Sequence, residues 1–408
     1  MSRLTHTEQI DISPETIQKL QVNKKSYNTP DAKYTILNCD KNYLCDTDRQ
    51  RRVYNSVIID DTTQCIVNVG MPISMPMGTF EEGTLQVTEL IEGTMIYLFY
   101  ETTNERWQIA TTNAVGGMYS YFRDNVNKSP TFSSMVMDAF REPTETDINK
   151  LPFLEYFQKE YCYGFVLQHP KNAIVHQIEH PKMWLVSVCH LHATSTNEVS
   201  YIARSSYETW DCFTGLKDSL VYFPKEFTVA KKPMADYLVD HYNDRTPKTL
   251  MGLNFVNTDT GDRCEVINPN YKEAKDIRGN NFNLQFHYLC LLKLGQVLVF
   301  LKHFPHYRQL FFNYKDQLEG FITKLHQTYF HYYISKKIKG PIHKKYYYHI
   351  SEIHKKIFIP SLEEGKKKVI KRSVVSEYVK AMEPGQILHM LNFERHNLTE
   401  TGSEQITL

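Results

Sequence analysis

The feature that most constrains this chain is a single change in the spacing of its apolar residues. From about residue 34 to 280 they come in short runs separated by turn signals. These runs are Val57–Asp60, Cys65–Val69, Met95–Tyr100, Trp107–Ala110, Tyr163–Gln168, Ala173–Gln177, Trp184–His190, Leu253–Asn257 and Cys264–Ile267, and each predicts a strand. Between them Phe132–Phe140 and Ile148–Glu160 repeat apolar residues at helical spacing. From Phe282 onward the pattern is helical throughout: Leu284–Leu294, then Val297–Phe304 stopped by Pro305, Tyr307–Tyr333, Tyr346–Phe358 and Ser373–Met382. The class is therefore α+β, a mixed strand-rich domain followed by an all-helical C-terminal domain. The expected division is an N-terminal extension over 1–33, a strand-rich domain over 34–280 and a helical domain over 281–408. Within the extension, Ser13-Pro14-Glu15 predicts the start of a short helix ending near Leu20.

Charge is separated along the chain. Its 408 residues carry a formal net charge of +1, yet residues 331–380 hold twelve Lys and one Arg against four Glu, a local +9 that leaves −8 elsewhere. Such asymmetry points to one region meeting a polyanion. The same region interleaves lysine with tyrosine and histidine, as in YYISKKIKGPIHKKYYYHISEIHKKIF. That pattern suits phosphate contacts combined with base stacking, or a solvated lysine face over a tyrosine-lined core. The candidate nucleic-acid contacts are Lys272, Lys275, Arg278, Lys336, Lys337, Lys344, Lys345, Lys355, Lys356, Lys366, Lys367, Lys368, Lys371 and Arg372.

The most apolar stretch, Tyr288–Leu301, is broken by Lys293 and Gln296 and falls short of the roughly 20 residues a membrane helix needs. The N-terminal MSRLTHTEQIDISPE has no apolar core of a signal peptide, so an intracellular, cytoplasmic protein is expected. The eight cysteines contain no Cys-x-x-Cys pair and are expected to be reduced and buried.

His176-Gln-Ile-Glu179-His180 matches the His-x-x-Glu-His string of some zinc peptidases. That chemistry needs both imidazoles on one helix face, whereas Pro181 follows at once and the neighbours favour strand. His190-Leu-His192 places two imidazoles on one strand face without a third ligand. No metal site is expected. Neither a Gly-rich phosphate loop of the Walker type nor a Gly-x-Ser-x-Gly elbow occurs.

An ordered set of strings remains: Ile91-Glu92-Gly93-Thr94, Trp107-Gln-Ile-Ala-Thr-Thr112, Tyr163-Gly-Phe165 through Asn172-Ala-Ile-Val175, Met251-Gly252-Leu-Asn-Phe-Val-Asn257, Arg263-Cys-Glu265-Val-Ile267 and Asp276-Ile-Arg-Gly-Asn280. In this order they resemble the nucleotidyltransferase motifs of the RNA ligase 1 family, and in particular the RNA ligases assigned to large cytoplasmic DNA viruses of the African swine fever type. The resemblance covers roughly residues 50–395 and implies an ATP-grasp-like ligase domain with twisted antiparallel sheets. The implied reaction is ATP-dependent end joining: a lysine takes AMP, passes it to an RNA 5′-phosphate, and a 3′-hydroxyl attacks.

The groups for that chemistry are altered. Aligning Gly93 with the family glycine puts Leu90 at the nucleophile position, where an amine is needed to form the phosphoramidate. No lysine lies between Ser56 and Lys128. Met251 takes the place of a carboxylate, and Glu265 and Ile267 take the places of two lysines. Asn55 and Ala173 stand where relatives carry arginine. A lysine about 4 Å from a phosphate gains about 4 kcal/mol at an effective dielectric near 20, and a glutamate reverses the sign. The nucleotide-pocket candidates are Glu92, Gly93, Phe165, Asn172 and Gly252, in a pocket that Leu90 and Met251 are expected to make apolar and collapsed.

The resulting expectation is an RNA-ligase-like viral protein without adenylyl transfer and without a cofactor, retained to bind nucleic acid, RNA rather than DNA, in the host cytoplasm or viral factory. Two alternatives stay open. One is an active ligase using ATP and Mg²⁺ with a relocated lysine, the nearest in sequence being Lys171, Lys248, Lys272 and Lys275. The other is a structural or assembly component of a virus particle that meets other viral proteins. Incubation with α-labelled ATP and Mg²⁺ or Mn²⁺ is expected to leave no acid-labile label on the denatured chain; a labelled lysine would establish the active alternative.

Overall fold

The computed structural model describes residues 4–40, 44, 48–81, 83–120, 130–192, 197–228, 238, 242, 245–279, 283–363 and 369–394. The chain forms two compact units, Met1–Asp276 and Ile277–Leu408.

The first unit is built from three sheets. The largest has the order β1 (Leu4–Gln9), β12 (Glu198–Ile202), β11 (Lys182–Leu191), β10 (Tyr161–Gln168), β7 (Thr94–Glu101), β8 (Arg106–Thr111) and β9 (Ala114–Val115), with β13 (Val221–Tyr222) parallel to β11. A second sheet runs β14 (Glu226–Phe227), β6 (Leu85–Leu90), β15 (Gly252–Asn257), β16 (Arg263–Ile267). A third runs β2 (Asn23–Asn28), β3 (Lys33–Asn38), β4 (Val57–Asp60), β5 (Cys65–Asn68). All the ladders except β11–β13 are antiparallel.

The large sheet is buried on both faces, which is why its strands read as nearly continuous apolar runs. Side chains alternate across it. Ile96, Leu98, Tyr163, Phe165 and Leu185 join one core with the helix Phe132–Ala139, while Tyr97, Phe99, Cys162, Cys189 and Tyr201 join another with Ile36, Leu37, Val57 and Ile58 of the third sheet. Among the described residues the cysteines are unpaired, and Cys65 is exposed rather than buried.

Three expectations are corrected. Residues 1–33 are no appendage: β1 pairs with β12, β2 pairs with β3, and the helix Pro14–Lys19 between them is capped by the Ser13 side chain. Polar residues suffice there because an edge strand needs only backbone pairing and one covered face. Ile148–Glu160 is no α-helix but two tight 3₁₀ turns, Ile148–Lys150 and Pro152–Tyr156, since Pro152 lacks the N–H that a continuing helix would use. Ala173–Gln177 lies outside any strand, because the backbone N–H groups of residues 174–176 are taken by a side chain described below. A helix at Pro269–Arg278 was missed; the two compact units meet at Asp276/Ile277.

The second unit is helical, as its spacing requires. Leu284–Leu294 starts at Asn283, whose side chain accepts the Phe286 N–H at 3.0 Å, and ends at Gly295 with φ +69°, a left-handed conformation that glycine adopts without a Cβ penalty. Arg308–Tyr329 continues into a π-type turn at Phe330–Ile334, and Lys344–Ile353 into another at His354–Phe358. The ring of His354 stacks on Tyr333 at 3.8 Å and on Phe358 at 5.0 Å. No helix among the described residues is long and apolar enough to cross a membrane.

His6 ties β1 to the core. Its ring stacks on Tyr201 at 4.6 Å and sits against Gly261, whose φ is +76°. Burial pulls its pKa down from 6.5 to about 4; Asp262 opposes this and Arg49 adds to it. The folded state therefore binds fewer protons than the unfolded chain between those values, and stability falls as pH drops from 6.5 toward 4. His169 and His190 are lowered by burial in the same direction. Urea titrations across this window are expected to show that slope, shallower in His6→Phe but not abolished.

Candidate functional site

The second sheet buries one face and opens the other. On β6, β15 and β16, Val87, Leu253, Phe255 and Cys264 point into a small core. The alternate positions Gln86, Thr88, Leu90, Asn254, Val256, Arg263 and Glu265 line a cavity of about 390 Å³. Its opposite wall comes from the large sheet: Met95, Val166, Val186, Ser187, Tyr201 and Ile202. Met251, just before β15, and Arg204 and Tyr207, just after β12, complete it together with Pro224.

Leu90, Gly93, Met251 and Glu265 are thus brought to one cavity, as the motif order implies. The expectation of a collapsed pocket is corrected. It is open, because the arginines and Glu265 across from the apolar side chains carry polar groups that resist close packing. Gly252 is buried opposite Leu90 and Ile267 in the ladders. A Cβ on it would stand 2.5 Å from the Val266 carbonyl oxygen, so this glycine permits close strand approach. Ile267 does not line the cavity.

Other candidates sit elsewhere. Phe165 is 1% exposed and belongs to the core on the far face of the large sheet; period-2 alternation puts its neighbour Val166 in the cavity wall instead. Asn172 is occupied structurally: its Oδ1 accepts the His169 N–H at 2.9 Å, and its Nδ2 donates to Thr94 Oγ1 and the Leu167 carbonyl. Asn55 likewise donates to the Met71 carbonyl.

Glu92 is 3% exposed and does not face the cavity. Its carboxylate accepts the backbone N–H groups of Ile174 at 2.7 Å, Val175 at 3.0 Å and His176 at 3.3 Å. Burial, with the neighbouring Glu92 carboxylate, raises the pKa of Tyr271. Gly93 follows because a Cβ there would meet the Leu167 carbonyl oxygen at 2.4 Å. The acidic-Gly pair of the motif therefore locks the turn between β6 and β7 onto the loop at 174–176.

No lysine occurs among the described residues that line the cavity. The cations there are Arg204 and Arg263, which the sequence reading missed. Arg263 shares its strand face with Glu265 and Ile267, so the alternation that located those two positions also points to it; nothing local marks Arg204. Arg263 forms an ion pair with Glu265, and Arg204 pairs with Glu208 at 3.2 Å. Burial lowers the Arg263 pKa to about 10, against the opposing pull of Tyr97, Tyr201 and Cys264; the group stays charged at neutral pH. Among the described residues no cluster of three or more His, Cys, Asp or Glu forms a metal site. His176–His180 is neither helix nor strand; His190 and His192 contact each other, and His192 pairs with the Ser200 hydroxyl.

Of the basic candidates, Lys272, Lys275, Lys336, Lys337, Lys344, Lys355, Lys356, Lys371 and Arg372 are exposed. Lys356 pairs with Glu352, and Arg372 pairs with Glu319 and donates to Thr323. Lys345 is half-buried near the Phe321 ring, its pKa lowered by burial. Arg278 is 6% exposed with its guanidinium 6.0 Å from the Tyr307 ring centre, so packing removes it from any contact surface. Lys366, Lys367 and Lys368 lie outside the described residues.

No family model matches the chain. It is 22% identical over 282 residues to the immediate-early protein ICP-46 homolog of invertebrate iridescent virus 6, an alignment covering 67% of this chain and 59% of that protein. The chain thus spans somewhat under two thirds of its viral relative. Among solved structures it is similar to a protein of Aquifex aeolicus assigned as an ATP-dependent DNA ligase, at 15% identity and TM-score 0.42, covering 77% and 81% of the two chains. It is also similar to an RNA ligase of Naegleria gruberi, solved as a mutant with ATP and Mn, at 10% identity and TM-score 0.34, covering 47% and 51%.

Removing the Glu92 carboxylate strands three backbone N–H groups, the buried one of Val175 and the half-buried ones of Ile174 and His176. Glu92→Ala is expected to lower unfolding stability by roughly 2–3 kcal/mol, read as a drop in urea midpoint at unchanged slope, and Glu92→Gln, which keeps an acceptor oxygen, by less.

Proposed function

We propose that this is a ligase-like protein that no longer transfers adenylate and that binds nucleic acid, RNA in preference to DNA, through its helical unit. One observation carries the polymer reading: exposed aromatics stand among exposed lysines. Tyr347 and Tyr348 are 57% and 61% exposed on the helix that begins with Lys344 and runs on to Lys355 and Lys356. Phe330 is 45% exposed shortly before Lys336 and Lys337. A lysine face serving solubility alone gains nothing from exposed rings, whereas bases stack on them while ammonium groups meet phosphates. The preference for RNA rests on the motif order of the first unit.

The loss of adenylyl transfer rests on the cavity. Leu90 supplies no amine, no lysine replaces it among the described lining residues, and Glu265 puts a carboxylate where family lysines meet phosphates. A place in the cytoplasm of an infected cell, with other viral proteins as further partners, accords with the iridescent-virus relative.

Filter binding of a labelled single-stranded RNA is expected to weaken steeply with salt. Replacing Lys336, Lys337 and Lys344 by Ala should flatten the log–log slope by about 0.7 for each phosphate that is no longer neutralised. Tyr347→Ala with Tyr348→Ala should cost about 1–3 kcal/mol per stacked base and leave the slope unchanged. No retention of any oligonucleotide at low salt would refute the reading.

A further inference from the structure

We propose that the cavity between the two sheets of the first unit binds a small organic oxyanion, a single carboxylate or phosphate group on an apolar body. This goes beyond polymer binding and does not depend on it. Three buried polar atoms without partners belong to residues lining this cavity, Arg204 Nη1, Arg263 Nε and Asn254 Oδ1, with Arg263 also bordering a neighbouring cavity beside His6 and Asp262. The two arginine side chains are only 10% and 14% exposed. Buried donors are nearly always satisfied in folded proteins, since leaving one unmade is costly. Two of them on guanidinium groups at one cavity mark a place for an acceptor that carries charge.

The charges around them limit how much anion the cavity takes. Each guanidinium already has a carboxylate, Glu208 for Arg204 and Glu265 for Arg263, and Glu89 adds another acid to the wall. A triphosphate would bring several negative charges against these carboxylates with no lysine among the described lining residues to offset them. One oxyanion needs only the directional N–H groups that are unpaired. Leu90, Met95, Val166, Pro224 and Met251 supply apolar wall, and the volume of about 390 Å³ lies within the about 300–1,000 Å³ usual for small-molecule sites. Apolar walls with few convergent polar groups suit a ligand having one charged end.

The test is thermal unfolding and calorimetric titration of the full chain with three probes: benzoate, phenyl phosphate and ATP. Benzoate or phenyl phosphate is expected to raise the midpoint saturably by a few degrees, the stronger of the two identifying the oxyanion, and ATP to bind more weakly than that probe. Met251→Trp narrows the cavity while leaving both arginines in the sequence and should weaken binding about tenfold or more. Arg204→Met should do the same; where it fails to fold, Met251→Trp carries the test. Absence of a saturable shift with both aryl probes, equal affinity in Met251→Trp, or tighter binding of ATP than of either aryl probe would each overturn the proposal.

Discussion

The first unit depends on one buried carboxylate. Glu92 stands in the turn that passes from the second sheet to the large one, and it collects three successive backbone N–H groups from residues 174–176. A carboxylate taken out of water is tolerated only where its lone pairs are filled. This one is filled by a loop that consequently cannot extend into a strand. Gly93 then brings the turn against β10, where any side chain would strike the Leu167 carbonyl. The relative placement of β6 and β7, and with it the two walls of the cavity, follows from that lock. The work of the Glu92-Gly93 pair in this fold is architectural.

Across the cavity, β16 presents a face on which opposite charges meet each other. A strand presents alternate residues to one side, so Arg263 and Glu265 stand on the cavity face and neutralise each other. A charge that could meet a ligand is spent on its neighbour, and the buried Nε of Arg263 is left without a partner. Positive charge is instead concentrated in residues 331–380 of the other unit, where Lys344, Lys355 and Lys356 share a helical segment with the exposed Tyr347 and Tyr348. The two units therefore present different chemistries, a small nearly neutral cavity in one and an extended basic surface in the other.

Much of the secondary structure was legible because apolar spacing tracks burial. Val57–Asp60, Trp107–Ala110 and Leu284–Leu294 fall where their spacing puts them. Misreadings arose where long-range contacts overrule local pattern. Ala173–Gln177 looks extended but gives its N–H groups to Glu92, about eighty residues upstream in sequence. The polar start of the chain looks dispensable, yet β1 completes the large sheet by pairing with β12. Phe165 was assigned to the pocket from its motif, and only the phase of β10 in the sheet sends it to the opposite core.

What the residues alone determined was the order of strands and helices, the segregation of basic charge, and the absence of any lysine between Ser56 and Lys128. These are properties of composition and spacing, which no packing can alter. The tertiary structure decided which side chains share a space. It joined Leu90, Met251 and Glu265 to Arg204 and Arg263 around an open cavity, withdrew Arg278 into packing, and turned Glu92 from a ligand candidate into a lock. Such outcomes hinge on antiparallel register and on the phase of alternation in strands far apart in sequence. A shift of one residue would carry each side chain to the other face of its sheet.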